Sequence, residues 1–414
     1  MRNIRNVRNT RNKNTVRYYL IIITLLIFLF VTNDFGMLDV QKTAIVMAVG
    51  IDREEDDFIL TSQIAVPKAS TQGKSTQIEQ IVSKGKTIAS AFKEINAKTG
   101  WYPKLVFCHL IILGEDASKQ NVFDALDFFL LDEYLSDNCL IATCQGTAQE
   151  LLNIHALIDQ SGSLAMQKVL SNQAQRVGTV LPNTLREFSA QYYGESRSGF
   201  LPIISTEPQQ ENPPKQKENS SKDSSNTGQN QSGGQTEDQQ GGASGKPVFS
   251  AGETALFVNG KMVGKLNRDE TFAFNAVKNK LRLASYEAET KSQGACALTI
   301  KNNRTKSKFI LLDNQTAVLK LTVTITAGLL DCSIALPKDT ADVGDVPQGA
   351  FQSAKERLSA QITSAFEKCK RLNCDLFEII SMLQKQEKSS FERLKKDVLS
   401  NTTLQISVRF ENVR

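Results

Sequence analysis

The chain has 414 residues, enough for two folded domains of ordinary size with extra segments. With 40% apolar and 22% charged residues it is neither a disordered acidic tail nor a multi-span membrane protein, and it must fold around real cores. The net charge of +5 comes from the amino terminus, where Arg2, Arg5, Arg8, Arg11, Lys13 and Arg17 precede the first acid, Asp34. The remainder is balanced to within one charge, which leaves no pervasive basic surface for nucleic acid.

Residues 1–14 are an Arg-Asn-x triplet repeat with almost no apolar content. Tyr18–Val31, YYLIIITLLIFLFV, is interrupted only by Thr24, and as a helix it spans about 21 Å, short of the roughly 30 Å hydrocarbon core. Extension from Val16 to Phe35 closes the gap, with Arg17 snorkelling and Tyr18 and Tyr19 at headgroup level. A basic flank without a small-x-small cleavage site reads as an uncleaved signal anchor, in which Tyr18, Tyr19, Leu20, Ile21, Leu25, Phe28, Phe30 and Val31 meet the lipid bilayer. A removed signal peptide is the competing reading. An RNA-binding arginine-rich arm is a rival for the basic tract alone, which the positive-inside rule already explains. The expected layout is a basic cytoplasmic tail over 1–17, a single-pass anchor over 18–36 and an extracytoplasmic body.

In the body, TAIVMAVGI over Thr43–Ile51 predicts a central strand, and the six charges Asp52–Asp57 predict a solvated hairpin tip. Phe58, Leu60, Ile64 and Val66 alternate in a returning strand that Pro67 stops. Ile88, Phe92 and Ile95 give a helix over Lys86–Lys98 closed by Gly100. LVFCHLIIL, Leu105–Leu113, reads as a buried strand, Phe123–Leu131 and Ala148–Leu157 as helices, and Asn138–Thr143 as a strand between them. Strands and helices mix without strict alternation, so the fold class expected is α+β with mixed or antiparallel sheets covered by helices.

Glu207–Gly245 has Ala243 as its only apolar residue and cannot recover its ordering entropy by burial, so it predicts a disordered linker between domains over 37–206 and 246–414. Beyond it, Glu253–Val258 and Lys261–Leu266 flank Asn259-Gly260, a strong hairpin signal. Leu319, Leu321, Val323 and Ile325 alternate with Lys and Thr in a half-buried strand of an antiparallel sheet. A long amphipathic helix over Gln348–Leu372 covers that sheet with Phe351, Ala354, Leu358, Ile362, Ala365 and Cys369. A second helix begins at Asp375–Glu378, and Leu404, Ile406, Val408 and Phe410 alternate in a terminal strand.

Chemistry-bearing patterns are scarce. His109, in an apolar strand, reads as a core histidine, and His155 has no carboxylate or cysteine at ligand spacing. Cys139 with Cys144, and Cys369 with Cys374, have spacings foreign to zinc or redox C-x-x-C sites. They read as buried thiols, with a disulfide inside either pair left open for an exported protein. No phosphate-cradling glycine loop, nucleophile elbow or H-E-x-x-H is present. The sequence therefore predicts no catalytic residue, no metal and no cofactor.

The order of these segments resembles the Ger(x)C family of spore germination proteins, the C subunit of spore germinant receptors. Leu38–Asp52, LDVQKTAIVMAVGID, is similar to the family's opening strand ending in Gly50-Ile51-Asp52. Val106–Asp116, VFCHLIILGED, places His109 at the family's strand histidine, and Asp127-Phe128-Phe129 follows. Gly252–Leu266 resembles the middle hairpin, with Gly264 and Leu266 in its Val-Gly-x-Leu strand, and Cys374-Asp375-Leu376-Phe377 stands where an Asp-hydrophobic-Phe turn enters a helix. Residues 32–36 lack the lipid-bearing cysteine usual in the family, and the long linker is a second departure.

The resemblance implies a non-enzymatic, extracytoplasmic subunit at the spore inner membrane, required for nutrient-triggered germination and assembled with membrane-embedded A-type and B-type receptor subunits. It implies a structural role for Gly50, Ile51, Asp52, His109, Gly264, Leu266, Asp375 and Phe377. A membrane-anchored small-molecule sensor is the alternative; an envelope hydrolase would need a nucleophile or metal constellation that the sequence does not offer.

Overall fold

The computed structural model describes residues 4–31, 43–70, 73–154, 161–171, 178–207, 248–290, 294–312, 316–333 and 346–413. The chain divides into two units, one through Thr43 and one from Ala44 to Arg414. The first contains α1 (Ile4–Val31), a 28-residue helix about 42 Å long. The helix starts inside the Arg-Asn-x tract, since neither residue type breaks a helix. Side chains from Thr15 to Phe28 are exposed, and Thr24 Oγ1 donates to the Leu20 carbonyl at 2.8 Å, so the hydroxyl is satisfied within the helix. Among the described residues no helix is long and apolar enough to cross a membrane. Residues 32–36 of the expected anchor lie outside the described residues.

The second unit opens with β1 (Thr43–Glu54), whose near-continuous apolar run sits inside a sheet. It turns at Glu55 and Asp56 into β2 (Asp57–Ser70), which pairs with the edge strand β3 (Gly73–Gly85). Two expectations change here. Asp52 and Arg53 belong to β1, and Asp52 is buried, so the solvated tip is shorter than six residues. β2 also runs past Pro67: beyond the Ile45–Ala65 pair it has only β3 beside it, and an imino nitrogen is tolerated on an open edge.

α2 (Ile88–Thr99) starts at a Thr87–Ser90 capping box and stops at Gly100 in the left-handed region (φ 72°), burying Ile88, Phe92 and Ile95 as their spacing predicts. β4 (Tyr102–Lys104) precedes β5 (Leu110–Leu113), far shorter than the strand expected over Leu105–Leu113. Leu105–Cys108 instead makes a turn, with Cys108 N–H donating to the Leu105 carbonyl at 2.8 Å and Val106 and Phe107 exposed. The part before the linker is completed by α3 (Glu115–Lys119), α4 (Phe123–Leu130), β6 (Leu140–Cys144), α5 (Ala148–Asn153), α6 (Gly162–Val169), β7 (Asn183–Thr184), α7 (Leu185–Tyr193) and β8 (Ser198–Glu207). His155 lies outside the described residues. β1, β5, β6 and β8 run parallel. α2, α4 and α7 cover one face through Phe92, Phe123, Phe129 and Phe188, and α5 and α6 the other through Leu151, Leu152 and Met166.

Residues 208–247, nearly all of the expected linker, lie outside the described residues. After them, β9 (Val248–Val258) and β10 (Lys261–Leu266) form the expected hairpin, with Asn259 and Gly260 both left-handed (φ 50° and 74°). The hairpin does not found a new sheet. β9 pairs with β8 from Ser198–Val258 to Glu207–Val248, completing the order β10-β9-β8-β6-β5-β1-β2-β3. The stretch expected to divide two domains therefore interrupts the chain but not the sheet.

α8 (Arg268–Val277) leads into a second sheet of β11 (Ser285–Thr290), β12 (Gly294–Leu311), β13 (Ala317–Cys332) and β14 (Thr402–Asn412), in that spatial order. Leu319, Leu321, Val323 and Ile325 are buried as their alternation predicts, in one core with α9 (Gln348–Arg371), α10 (Ile379–Gln386) and α11 (Phe391–Leu394). The sheet is not purely antiparallel. β14 runs parallel to β13, because the helices between them carry the chain back before it pairs. Both sheets are mixed, and the fold class is α+β.

Candidate functional site

The sequence-singled residues fall into three neighbourhoods rather than one. At the carboxyl end of β1, the Asp52 carboxylate accepts Ala148 N–H at 2.7 Å and Gln149 N–H at 2.9 Å, while Thr147 Oγ1 accepts Glu150 N–H at 3.2 Å. Together they satisfy the first turn of α5. Burial pushes the Asp52 carboxyl above its usual range, against the pull of the two N–H groups. Glycines create its room. A Cβ on Gly114 would overlap Asp52 Oδ1, and one on Gly50 would sit 2.8 Å from Leu152 Cδ1 and 3.0 Å from Ala148 Cβ. Ile51 is fully buried beside them. An adjacent cavity of about 520 Å³ carries Asp52, Glu54, Lys84 and Lys98 on its walls.

His109 sits just before β5 rather than inside it. Its N–H donates to the Met47 carbonyl at 3.0 Å and its carbonyl accepts Leu140 N–H at 3.0 Å, so its backbone bridges the neighbouring segments. Among the described residues Nε2 is buried without a geometrically sound hydrogen-bond partner, and burial holds the imidazole below its usual pKa, opposed by the backbone of Phe107 and Ser163.

The third neighbourhood lies where the part before the linker meets the part after it. The Asp375 carboxylate accepts Ile379 N–H and Ile380 N–H, both at 2.8 Å, and so caps α10 as Asp52 caps α5. Burial raises its pKa too, against the same two hydrogen bonds. Asp375 N–H donates to Ser198 Oγ at 2.9 Å, and Cys374 Sγ lies 3.6 Å from the Phe257 carbonyl, which ties this turn to β8 and β9. Phe377 packs edge-on against Phe274 and Phe366 at 5.7 and 5.2 Å. A Cβ on Gly264 would stand 2.6 Å from Leu372 Cδ1, and Leu266 is fully buried in the C-terminal core.

Beside this turn, a cavity of about 410 Å³ is lined by Gln191, Glu195, Ser198, Lys278, Asp375 and Glu378 among others. Glu378 adopts a left-handed conformation (φ 62°) unusual for its type, and its carboxylate meets Lys278 Nζ at 2.5 Å. A third cavity, of about 440 Å³, lies where α3 and β10 meet the carboxyl end of β6, with Glu115, Lys119, Thr143, Gln145 and Gly264 on its walls.

Asp52, Gly264 and Asp375 thus line separate cavities, and both aspartates are engaged by helix N-termini. Among the described residues no three His, Cys, Asp or Glu side chains converge as a metal site would need. Sequence reasoning missed Ser198 and Lys278, because long-range packing alone joins them to Asp375. It also missed Glu270, although Asn267-x-x-Glu270 is a readable capping-box pattern. The seven cysteines are free thiols. Cys139 has Cys108 as its thiol neighbour rather than Cys144, Cys332 has Cys296, and Cys369 lies near enough to Cys374 for the two to interact electrostatically.

Residues 37–206 match the spore germination protein N-terminal domain, and residues 252–413 match the spore germination B3/GerAC-like C-terminal domain. Comparison with curated proteins finds no match. Among solved structures, one described as the crystal structure of the GerBC protein superposes with a TM-score of 0.51 at 14% identity, over 88% of this chain and 97% of that one. That likeness spans both sheets and agrees in fold with what the two matched segments indicate: the chain belongs to the Ger(x)C family of spore germination proteins.

Proposed function

We propose that this protein is the non-catalytic C subunit of a spore germinant receptor, held at the spore inner membrane and working with membrane-embedded A-type and B-type subunits. The observation that carries the reading is the pair of family matches, which together take in both sides of the long linker. The consumption of Asp52 and Asp375 by helix capping supports a non-catalytic role, since a carboxylate holding two backbone N–H groups is not free to exchange protons with a substrate. Residues Tyr18–Phe28 of α1 support membrane attachment: they are apolar on every side and exposed, the pattern of a lipid-embedded helix. On this reading Arg2–Arg17 stay cytoplasmic and the body lies outside.

Affinity purification of the tagged full-length chain from detergent-solubilised spore membranes, followed by mass spectrometry, tests the assembly. Recovery of the two membrane-embedded subunits at comparable yield is expected; recovery of the chain alone refutes it. Deletion of residues 2–31 should move the protein to the soluble fraction of lysed spores, and unchanged membrane retention refutes attachment through α1. The sensor alternative draws on the cavity beside Asp375, whose size and polar lining suit a small polar molecule. Calorimetric titration of the full-length chain with nutrient germinants decides it, since binding that Lys278→Met abolishes would favour the sensor.

A further inference from the structure

β12 and β13 bring Cys296 and Cys332 directly opposite each other near one end of their ladder. The hydrogen bonds fix which kind of pair this is. Ser333 N–H donates to the Ala295 carbonyl at 2.8 Å, which makes Ala295 and Ser333 the hydrogen-bonded pair and leaves Cys296 and Cys332, one step inward, at a non-hydrogen-bonded position. Cys332 N–H agrees, since it donates to its neighbour Asp331 Oδ1 at 2.8 Å and not across the ladder. Opposed residues at such positions have Cα atoms about 4.5 Å apart and side chains on the same face, inside the ~4.4–6.8 Å range that a disulfide spans. A bulge next to the pair, between Ala297 and Leu298, adds local twist that lets the two sulfurs adjust.

We propose that Cys296 and Cys332 are a dithiol/disulfide couple that closes by exchange with an external disulfide and staples β12 to β13. Exposure orders the steps. Cys296 is fully buried and Cys332 only half-buried, next to the exposed Leu330, so the incoming disulfide meets Cys332. The Cys332 thiolate attacks one sulfur of R–S–S–R, forming a mixed disulfide and expelling R–S⁻. Cys296, deprotonated in turn, attacks the Cys332 sulfur and expels the second R–S⁻. The two thiol protons end on two R–SH, and two electrons pass from the cysteines to the reagent. Burial and the neighbouring Cys296 thiol push the Cys332 pKa up to about 12, so closure is slow near neutrality and speeds up with rising pH. The other neighbouring thiols, Cys108 with Cys139 and Cys369 with Cys374, are all buried and out of an exchanger's reach.

An oxidising exterior follows from the topology proposed above, so the test separates the two. The full-length chain in detergent is equilibrated with oxidised and reduced glutathione, alkylated, digested and mapped by mass spectrometry. Expected is one cross-linked peptide pair, Cys296 to Cys332, with the other five cysteines alkylated and a melting temperature raised by about 5 °C. Cys296→Ser should instead trap Cys332 as a stable glutathione adduct; Cys332→Ser, at the more exposed position, should abolish both species. Alkylation of both thiols after equilibration, or an adduct on wild-type Cys332 that never resolves, overturns the proposal. If the purified chain forms the bond while the chain taken directly from spores carries both thiols free, the couple stands and the exterior placement falls.

Discussion

Replacing Lys368 by Met tests how the C-terminal helix layer is held together. Glu270 is fully engaged: Oε2 accepts Asn267 N–H at 2.9 Å and pairs with Lys368 Nζ, and Oε1 accepts the Ser364 hydroxyl at 2.8 Å. One carboxylate thus closes the capping box of α8 and links α8 to α9, with its side chain only 5% exposed. Removing one partner of a buried pair costs roughly 3–5 kcal/mol, because the other charge stays desolvated. Lys368 is 25% exposed and Glu270 keeps two other donors, so about 2–4 kcal/mol is expected here. At ~2.1 cal/mol/K per residue over the 414-residue chain that is a fall of about 2–5 °C in melting temperature.

The pH dependence carries the sign. Burial opposes ionisation of Glu270, but Lys368, Asn267 N–H and the Ser364 hydroxyl outweigh it and lower its pKa below the usual 4.5. The stability gained from the charged form is therefore present above 4.5 and lost as pH falls through the folded value. The Lys368→Met penalty should be full at about pH 7 and smaller at about pH 3, because acid titrates Glu270 and removes the charge that the substitution leaves unpaired. Adding Glu270→Gln should recover about 1–2 kcal/mol, since no charge is then left buried. Urea unfolding followed by circular dichroism measures all three. A penalty below about 0.5 kcal/mol, or one equal at both pH values, refutes the reasoning.

Asp52→Ala and Asp375→Ala should each cost about 2–4 kcal/mol by orphaning two N–H groups, and the Asn variants, which keep one acceptor, about half as much; equal losses for Ala and Asn would refute the capping account. Burial raises both aspartate pKa values, so the stability each aspartate contributes should fall as pH rises from 3.8 through its folded value, and the Ala-variant penalties measured against the wild type should shrink over the same window. Gly114→Ala should cost as much as Asp52→Ala and be non-additive with it, because its Cβ displaces that same carboxylate; strict additivity in chemical denaturation would separate the two sites. Cleavage at a protease site inserted within residues 215–240 should leave two fragments that co-elute on native size exclusion, held by β8 against β9 and by the Asp375 turn; separation without denaturant would show that this pairing does not hold the halves.

Local chemistry was enough for much of the fold. The Thr43–Ile51 run, the Ile88, Phe92 and Ile95 spacing closed by Gly100, the Asn259-Gly260 hairpin and the alternation through Leu319–Ile325 each encode their element within about a dozen residues, where periodicity and turn chemistry act. The segments that resemble the Ger(x)C family were legible for the same reason. Where elements end was less so. LVFCHLIIL is apolar throughout, yet only Leu110–Leu113 finds ladder partners on both sides, and an apolar pattern cannot reveal which residues a neighbour will reach. β3 escaped because an edge strand with only Ile78, Ile81 and Val82 has little apolar patterning to display.

Tertiary structure alone decided where the charges and halves belong. In sequence, Asp52 opens a run of six charged residues and looks solvated; it is buried because α5, almost a hundred residues on, presents two unpaired N–H groups to it. Asp375, Ser198 and Lys278 meet, and Cys296 faces Cys332, only because sheet register brings distant strands and turns together. Composition marked Glu207–Gly245 as a break between domains, but the free backbone edge of β8 is satisfied by β9 from beyond it. Hydrogen-bond demand at a sheet edge takes no account of the length of chain between its partners, and that is why one sheet spans both halves of this protein.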